Sequence, residues 1–307
     1  MYRKAGADLC QSAASPARQL RERGRAAGGI DIRVGYAAAA AAGISGDAAV
    51  SCGLPGGSRA LILSDGMGKG IKAAAGSRLV VTRLRRNLKA GMPVAAAIKE
   101  VNRYMIEQAE GADMSEEFAT VDLTVIDRQS RRARFYKMGA ATSFIMRGGR
   151  VRKIKGTALP VGIIPKLRLT HISAVLKEGD LIVMVSDGIT DADRNDLEAR
   201  WLCDYLSEEI YSADFDTGRM SARQIAADIL AEAEARYVGR ERDDLTVAAI
   251  AAVASLVAAQ KIAHPLFVHL HGAGRQRRLQ LLHVPKLAID RLGGAVQFFC
   301  NTAGVDR

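Results

Sequence analysis

Two Ser-Asp-Gly tripeptides end apolar runs in this chain: Ser64-Asp65-Gly66 in "LILSDGMGKG" and Ser186-Asp187-Gly188 in "LIVMVSDGIT". Asp47 in "ISGD" and Asp243 in "ERDDLT" also stand at the edge of apolar runs, beside glycine or another acid. Strand ends can meet in space however far apart they lie along the chain. Carboxylates gathered at one point repel one another and cannot all stay ionised unless a cation neutralises them. Hard oxygen donors without histidine or cysteine favour Mg²⁺ or Mn²⁺ over zinc. Taken singly, each acid reads as structure. Asp-Gly is a common turn pair, and Asp243-Asp244 suits a solvated turn. Their repeated placement behind apolar strands turns the reading toward a metal centre.

The elements that must position these acids follow from hydrophobic periodicity. "SRALILSDG" (58–66) predicts a short buried strand. Residues 71–91 repeat apolar side chains at helical spacing up to Gly91, and Pro93 opens a second helix through Gln108. From 118 the period shortens: "FATVDLTVID", "RARFYKMG", "SFIMRGG" and "VRKIK" predict a meander, followed by strands over 167–176 and 180–188. Helices are expected at about 196–210 and 220–237, before a last strand at 245–253. The alanine run 37–42 has helical propensity, yet its flanks suit a strand leading into a turn. This order lacks regular β-α alternation, so sandwiched sheets flanked by helices fit better than a doubly wound sheet.

Composition removes other classes. The net charge of +11 sits mostly at the ends: residues 1–46 hold seven basic and three acidic groups, and residues 253–307 seven and two. A nucleic-acid domain carries its excess on the folded body, so no nucleic-acid partner is expected. The four cysteines are scattered, which suits a reducing compartment and neither a disulfide framework nor a zinc ribbon. The longest nearly uninterrupted apolar stretch, 247–259, is too short to cross a bilayer, and no signal peptide is evident. A cytoplasmic location is therefore expected. Three segments are expected: a flexible basic arm (1–30), a catalytic domain (31–253) and a basic extension of unknown structure (254–307). The last holds His269, His271, His283 and Cys300 at spacings that match no strong metal motif.

The ordered set "GD", "SDGMG", "ATVDLTVID", "LPVGI", "DLIVMVSDGI" and "DDLTV" resembles the metal-dependent protein phosphatases of the protein phosphatase 2C type. Within them the likeness is to the stage II sporulation protein E (SpoIIE) catalytic domains, from about Asp31 to Val253. The resemblance implies an α+β fold, an α-β-β-α sandwich of two mainly antiparallel sheets flanked by helices. It implies two divalent cations, Mn²⁺ or Mg²⁺, with Asp65 bridging them. Asp47 and the backbone carbonyl of Gly66 would serve one, and Asp187 with Asp243 the other. Thr120, Asp122 and Asp244 would stand behind these ligands, although Asp122 could instead satisfy backbone groups inside the sheet.

The implied reaction is hydrolysis of phosphoserine or phosphothreonine by in-line attack of an activated water, without a phosphoenzyme. Asp65 and Asp187 are its expected catalytic residues. The implied partner is a phosphorylated anti-sigma factor antagonist (SpoIIAA-like) in sporulation sigma-factor activation. A stress-response phosphatase and an inactive partner-binding regulator on the same fold are the alternatives, and a homodimer stays open. Related full-length proteins are membrane-anchored through a region this sequence lacks. Lys69 reads first as a surface lysine and second as a contact for substrate phosphate. "LPVGI" reads as a turn, and His171 as a structural residue within a strand. The helices at 71–91 and 93–108 are the expected lever between partner contact and metal occupancy.

Overall fold

The computed structural model describes residues 29–255, except 42, 112–117, 194–195, 197, 216–219, 238 and 240, and except the side chains of 110, 111 and 212–215. Most of the expected arm, the extension with its histidines, and Cys10 and Cys300 lie outside the described residues.

One sheet has the order β1-β10-β9-β6-β7 and the other β2-β3-β4-β5-β8. The first is built from β1 (Ile30–Ala39), β6 (Ser143–Arg147), β7 (Arg150–Ile154), β9 (Leu181–Val185) and β10 (Leu245–Ala254). The second holds β2 (Asp47–Gly53), β3 (Arg59–Asp65), β4 (Val121–Asp127), β5 (Arg132–Met138) and β8 (Ile172–Val175). Every pairing between these strands is antiparallel. Helices α1 (Ile71–Lys89) and α2 (Val94–Gly111) cover the second sheet. Three further helices belong to the first sheet's half: α3 (Asp187–Thr190), α4 (Arg200–Tyr205) and α5 (Ala222–Arg236). The result is the α-β-β-α sandwich.

Why the strands read as continuous apolar runs is now plain. In β3, Leu61 and Leu63 face the layer between the sheets, while Ala60 and Ile62 face α1 and α2. In β9, Ile182 and Met184 point inward, while Leu181, Val183 and Val185 meet the helices on the other side. Both faces of β3 and β9 are buried, so alternation vanishes from these runs. Helix α1 contributes Val80, Leu84 and Leu88 to its layer, each fully or nearly fully buried. Truncating Leu84 to alanine would cost about 3 kcal/mol.

The alanine run folds as strand because the sheet's register overrides helical propensity: Ala37, Ala38 and Ala39 pair with Val247, Thr246 and Leu245. Small residues are needed there. A Cβ placed on Gly35 would lie 2.2 Å from the backbone of Ala222, so α5 starts directly on β1.

Three boundaries depart from expectation. The strand expected over 167–176 is confined to Ile172–Val175, so His171 precedes it; the imidazole lies 5.3 Å from the Tyr136 ring, centroid to centroid. The helix expected from 196 starts at Arg200, because Asp196 turns back to accept the Trp201 amide and Ala199 takes a left-handed φ of 52°. It then continues as a π-helical stretch, Leu206–Phe215. Helix α2 runs to Gly111, three residues past the expected end.

Candidate metal centre

The acids singled out in the sequence converge at one end of the sandwich. Asp47 opens β2 and Asp65 closes β3, and the two are direct cross-strand partners. Asp187 follows β9, and Asp243 precedes β10, the strand paired with β9. Each sheet thus offers two acids from rigid strand ends. Like charges side by side, partly out of water, hold their protons more tightly. Burial, then the charges of Asp187, Asp47 and Asp243, pushes Asp65 up to about 8. Burial raises Asp47 to about 6, helped by the charges of Asp187 and Asp244 and opposed by the hydroxyls of Thr246 and Ser186. Asp187 is also raised, by partial desolvation and then by Asp243 and Asp191.

The donors fit a hard divalent cation. Both carboxylate oxygens of Asp47 are buried and accept no hydrogen bond; the two neighbouring hydroxyls do not reach bonding geometry. An acceptor left this way is costly unless a cation meets it. Among the described residues, no three His, Cys, Asp or Glu side chains already close as a cage. Mg²⁺ and ions like it keep several waters and need only one or two carboxylates each, so an open arrangement suits them.

The backbone around Asp65 is fixed from two sides. The Thr120 hydroxyl accepts the Asp65 amide at 2.8 Å, and the Thr120 amide donates to the Asp65 carbonyl at 2.8 Å. Ser64 donates its hydroxyl to the Thr120 carbonyl at 2.7 Å. Gly66 then passes under α1 so closely that an added Cβ would lie 1.9 Å from the Ala73 carbonyl oxygen. No larger residue fits there.

Asp244 and Asp122 are engaged in different ways. The Asp244 carboxylate accepts the Ala41 amide at 2.7 Å and the Gly46 amide at 2.6 Å, so it holds the segment that delivers Asp47. Asp122 does not satisfy backbone groups, the alternative open from sequence. Its Oδ2 accepts Lys137 Nζ at 2.5 Å and the Ser143 hydroxyl at 2.7 Å, all buried between the sheets. Burial pushes the Lys137 ammonium down, while Asp122 opposes that shift.

Lys137 and Ser143 escaped sequence reasoning, although a signal existed. The tight β4–β5 turn fixes a register that sets Asp122 directly opposite Lys137. Lys69 pairs with Glu241 at 2.6 Å on the surface. "LPVGI" does act as a turn: Val161 bonds Ala119 in both directions, and Asn102 on α2 accepts the Gly162 amide and donates to the Ile164 carbonyl.

With this geometry in place, similarity to known proteins becomes informative. The family model of stage II sporulation protein E (SpoIIE) matches residues 55–252. The protein of that name from Priestia megaterium is 32% identical over 219 residues, which are 71% of this chain and 35% of that protein. The one from Bacillus subtilis (strain 168) is 35% identical over 166 residues, 53% of this chain and 20% of that protein. The chain thus spans about a third and a fifth of the lengths of these two relatives.

A solved structure of the PP2C phosphatase domain and a regulatory-domain fragment of the cell fate determinant SpoIIE from Bacillus subtilis superposes with a TM-score of 0.64. It is 29% identical, over 74% of this chain and 65% of that one. A family match over more than half of the chain, on a sandwich of this architecture, places the protein in the SpoIIE family, with a domain of the protein phosphatase 2C type.

Proposed function

We propose that this chain is a metal-dependent serine/threonine protein phosphatase. Its substrate is a phosphorylated regulatory protein, an anti-sigma factor antagonist of the SpoIIAA kind, in sporulation sigma-factor activation. The observation that carries the reading is the meeting of Asp47, Asp65 and Asp187 at one sandwich end, with both oxygens of Asp47 buried and unbonded. Family membership supports the reaction type, and it supports the substrate class by likeness to the relatives named above.

In this reading Asp65 would help to hold both of two cations, Mn²⁺ or Mg²⁺. Asp47 and the Gly66 carbonyl would serve one, and Asp187 with Asp243 the other. When bound, the cations supply a water acidic enough to attack phosphorus near neutral pH and offset charge on the phosphoryl oxygens. The protein's own part is placement. Thr120 fixes the Asp65 backbone, Asp244 fixes the approach to Asp47, and the rigid strand ends hold the acids at low reorganisation cost. Helix α1 bears on the same loop through Ala73 against Gly66, so a partner that moves α1 would act on the centre.

The test is phosphate release from a phosphoserine-bearing SpoIIAA-like protein with Mn²⁺, with Mg²⁺ and with chelator, beside Asp65→Asn and Asp187→Asn. Metal-dependent turnover lost in both variants is expected. A folded chain that binds the partner without turnover in any metal would contradict the proposal.

A further inference from the structure

Lys69 stands in the loop between Asp65 and α1, and Glu241 stands two residues before Asp243. Their side chains meet at 2.6 Å, joining the segment that carries Asp65 to the segment that carries Asp243. Both are open to water, with side chains 56% and 83% exposed. Gly68 and Gly70 flank the lysine at φ of 87° and 72°, with open space where a Cβ would point, so the loop leaves Lys69 standing clear.

Acids crowd the segments around it: Asp187, Asp191, Glu241 and Asp243 are exposed, and of the nearby cations Arg242 is paired with Glu234 while Lys72 stands on the first turn of α1. An approaching phosphate monoester carries nearly two negative charges. Cations at the centre would be engaged with the carboxylates beneath. The dianion must still pass a rim that repels it, and Lys69 is a cation within that rim. Glu241, then Asp243 and Asp244, hold its ammonium well charged.

We propose that Lys69 receives the substrate's phosphate at the entrance of the centre, and that Glu241 occupies it until the phosphate arrives. An ammonium has three donors and a compact charge, so it exchanges a carboxylate for a phosphate oxygen without rearranging the loop. An exposed ion pair contributes little to stability, which makes Glu241 a readily displaced placeholder. The proposal rests on the phosphatase reading for its substrate. It adds a binding residue and a competing internal anion.

The test uses the full chain with Mn²⁺ and a phosphoserine peptide. Lys69→Gln raises KM about tenfold, the worth of one charge-assisted hydrogen bond, and moves kcat far less. Lys69→Arg restores most of the loss. Glu241→Gln lowers KM about threefold, as expected for freeing an exposed pair, and has no effect once Lys69 is Gln. An unchanged KM in Lys69→Gln, or a Glu241→Gln effect that persists without Lys69, would overturn the proposal. A second readout is equilibrium binding of inorganic phosphate, followed by ³¹P line broadening in the presence of Mg²⁺. If the wild-type chain hydrolyses nothing, the phosphatase reading fails and this readout decides alone. Weaker phosphate binding in Lys69→Gln supports the role of the lysine, and equal binding removes it.

Discussion

The tripeptide Ser-Asp-Gly occurs at the end of β3 in one sheet and of β9 in the other, and the two copies solve one problem with different results. In both, the serine is buried and ties down the neighbouring strand. Ser64 donates to the Thr120 carbonyl just before β4, while Ser186 donates to the Asp244 carbonyl at 3.3 Å and accepts the Thr246 amide at 2.9 Å. In both, the glycine passes beneath another backbone. A Cβ on Gly66 would lie 1.9 Å from the Ala73 oxygen, and one on Gly188 would lie 2.3 Å from the Asp244 oxygen. The aspartates differ. Asp65 is half-buried among the other acids and pushed up to about 8, whereas Asp187 opens to solvent at the first residue of α3. One local sequence thus sets a half-buried acid at the end of β3 and an exposed one after β9.

Exchanging the aspartates breaks the comparison most strongly. Asp65→Asn is expected to lower phosphate release about a thousandfold, since the half-buried acid is asked to serve both cations. Asp187→Asn lowers it about a hundredfold, because water can fill part of its place. Steady-state rates at saturating Mn²⁺ give both numbers, and equal losses would erase the distinction.

Next in size are the glycines. Gly66→Ala and Gly188→Ala each force backbone apart and should cost about 3 kcal/mol in urea unfolding. Gly66→Ala also displaces the loop after Asp65, so it is expected to lose more activity than Gly188→Ala.

The serines sharpen the likeness. Ser186→Ala leaves the buried Thr246 amide without its partner and should cost about 2 kcal/mol; Ser64→Ala removes a donor from a carbonyl and should cost about 1 kcal/mol. The reverse order, measured by the same unfolding, would show that the two serines are not equivalent ties.

The pH dependence of the chelated protein tests the crowding of the acids themselves. Asp65 and Asp47 are raised above the ordinary 3.8, to about 8 and about 6. A raised carboxyl stabilises the fold while protonated. Its contribution is full below the unfolded value and is lost as pH rises through the folded one. Melting temperature in chelator should therefore fall as pH rises through these two values, and saturating Mn²⁺ should remove the fall. A melting temperature that rises over that range in chelator would contradict the crowding of these acids.

Much of this was legible because strand ends announce themselves. Apolar runs stopping on Asp65 and Asp187 gave both the layers and the acids, and the change from helical to alternating period at 118 located the meander. The strand ends gave no view of what lies across from them. That Asp244 spends both oxygens on the amides of Ala41 and Gly46 depends on a loop about 200 residues away in sequence. Asp122 with Lys137 was in principle readable from hairpin register, but Ser143 enters that cluster from the opposite sheet. Residues 37–39 read as strand from their flanks against alanine's helical propensity, and pairing with β10 and the close seat of α5 hold that strand.

Titration of Mn²⁺ into the chelator-treated chain, followed by calorimetry in two buffers of different ionisation enthalpy, tests most directly whether these acids form one metal centre. Two bound cations are expected for the wild type, with proton release, since raised carboxyls must give up their protons to bind. One cation is expected for Asp187→Asn, and a severe loss of affinity for Asp65→Asn. Equal binding by all three proteins, without proton release, would contradict the assignment of the Ser-Asp-Gly aspartates as the ligands.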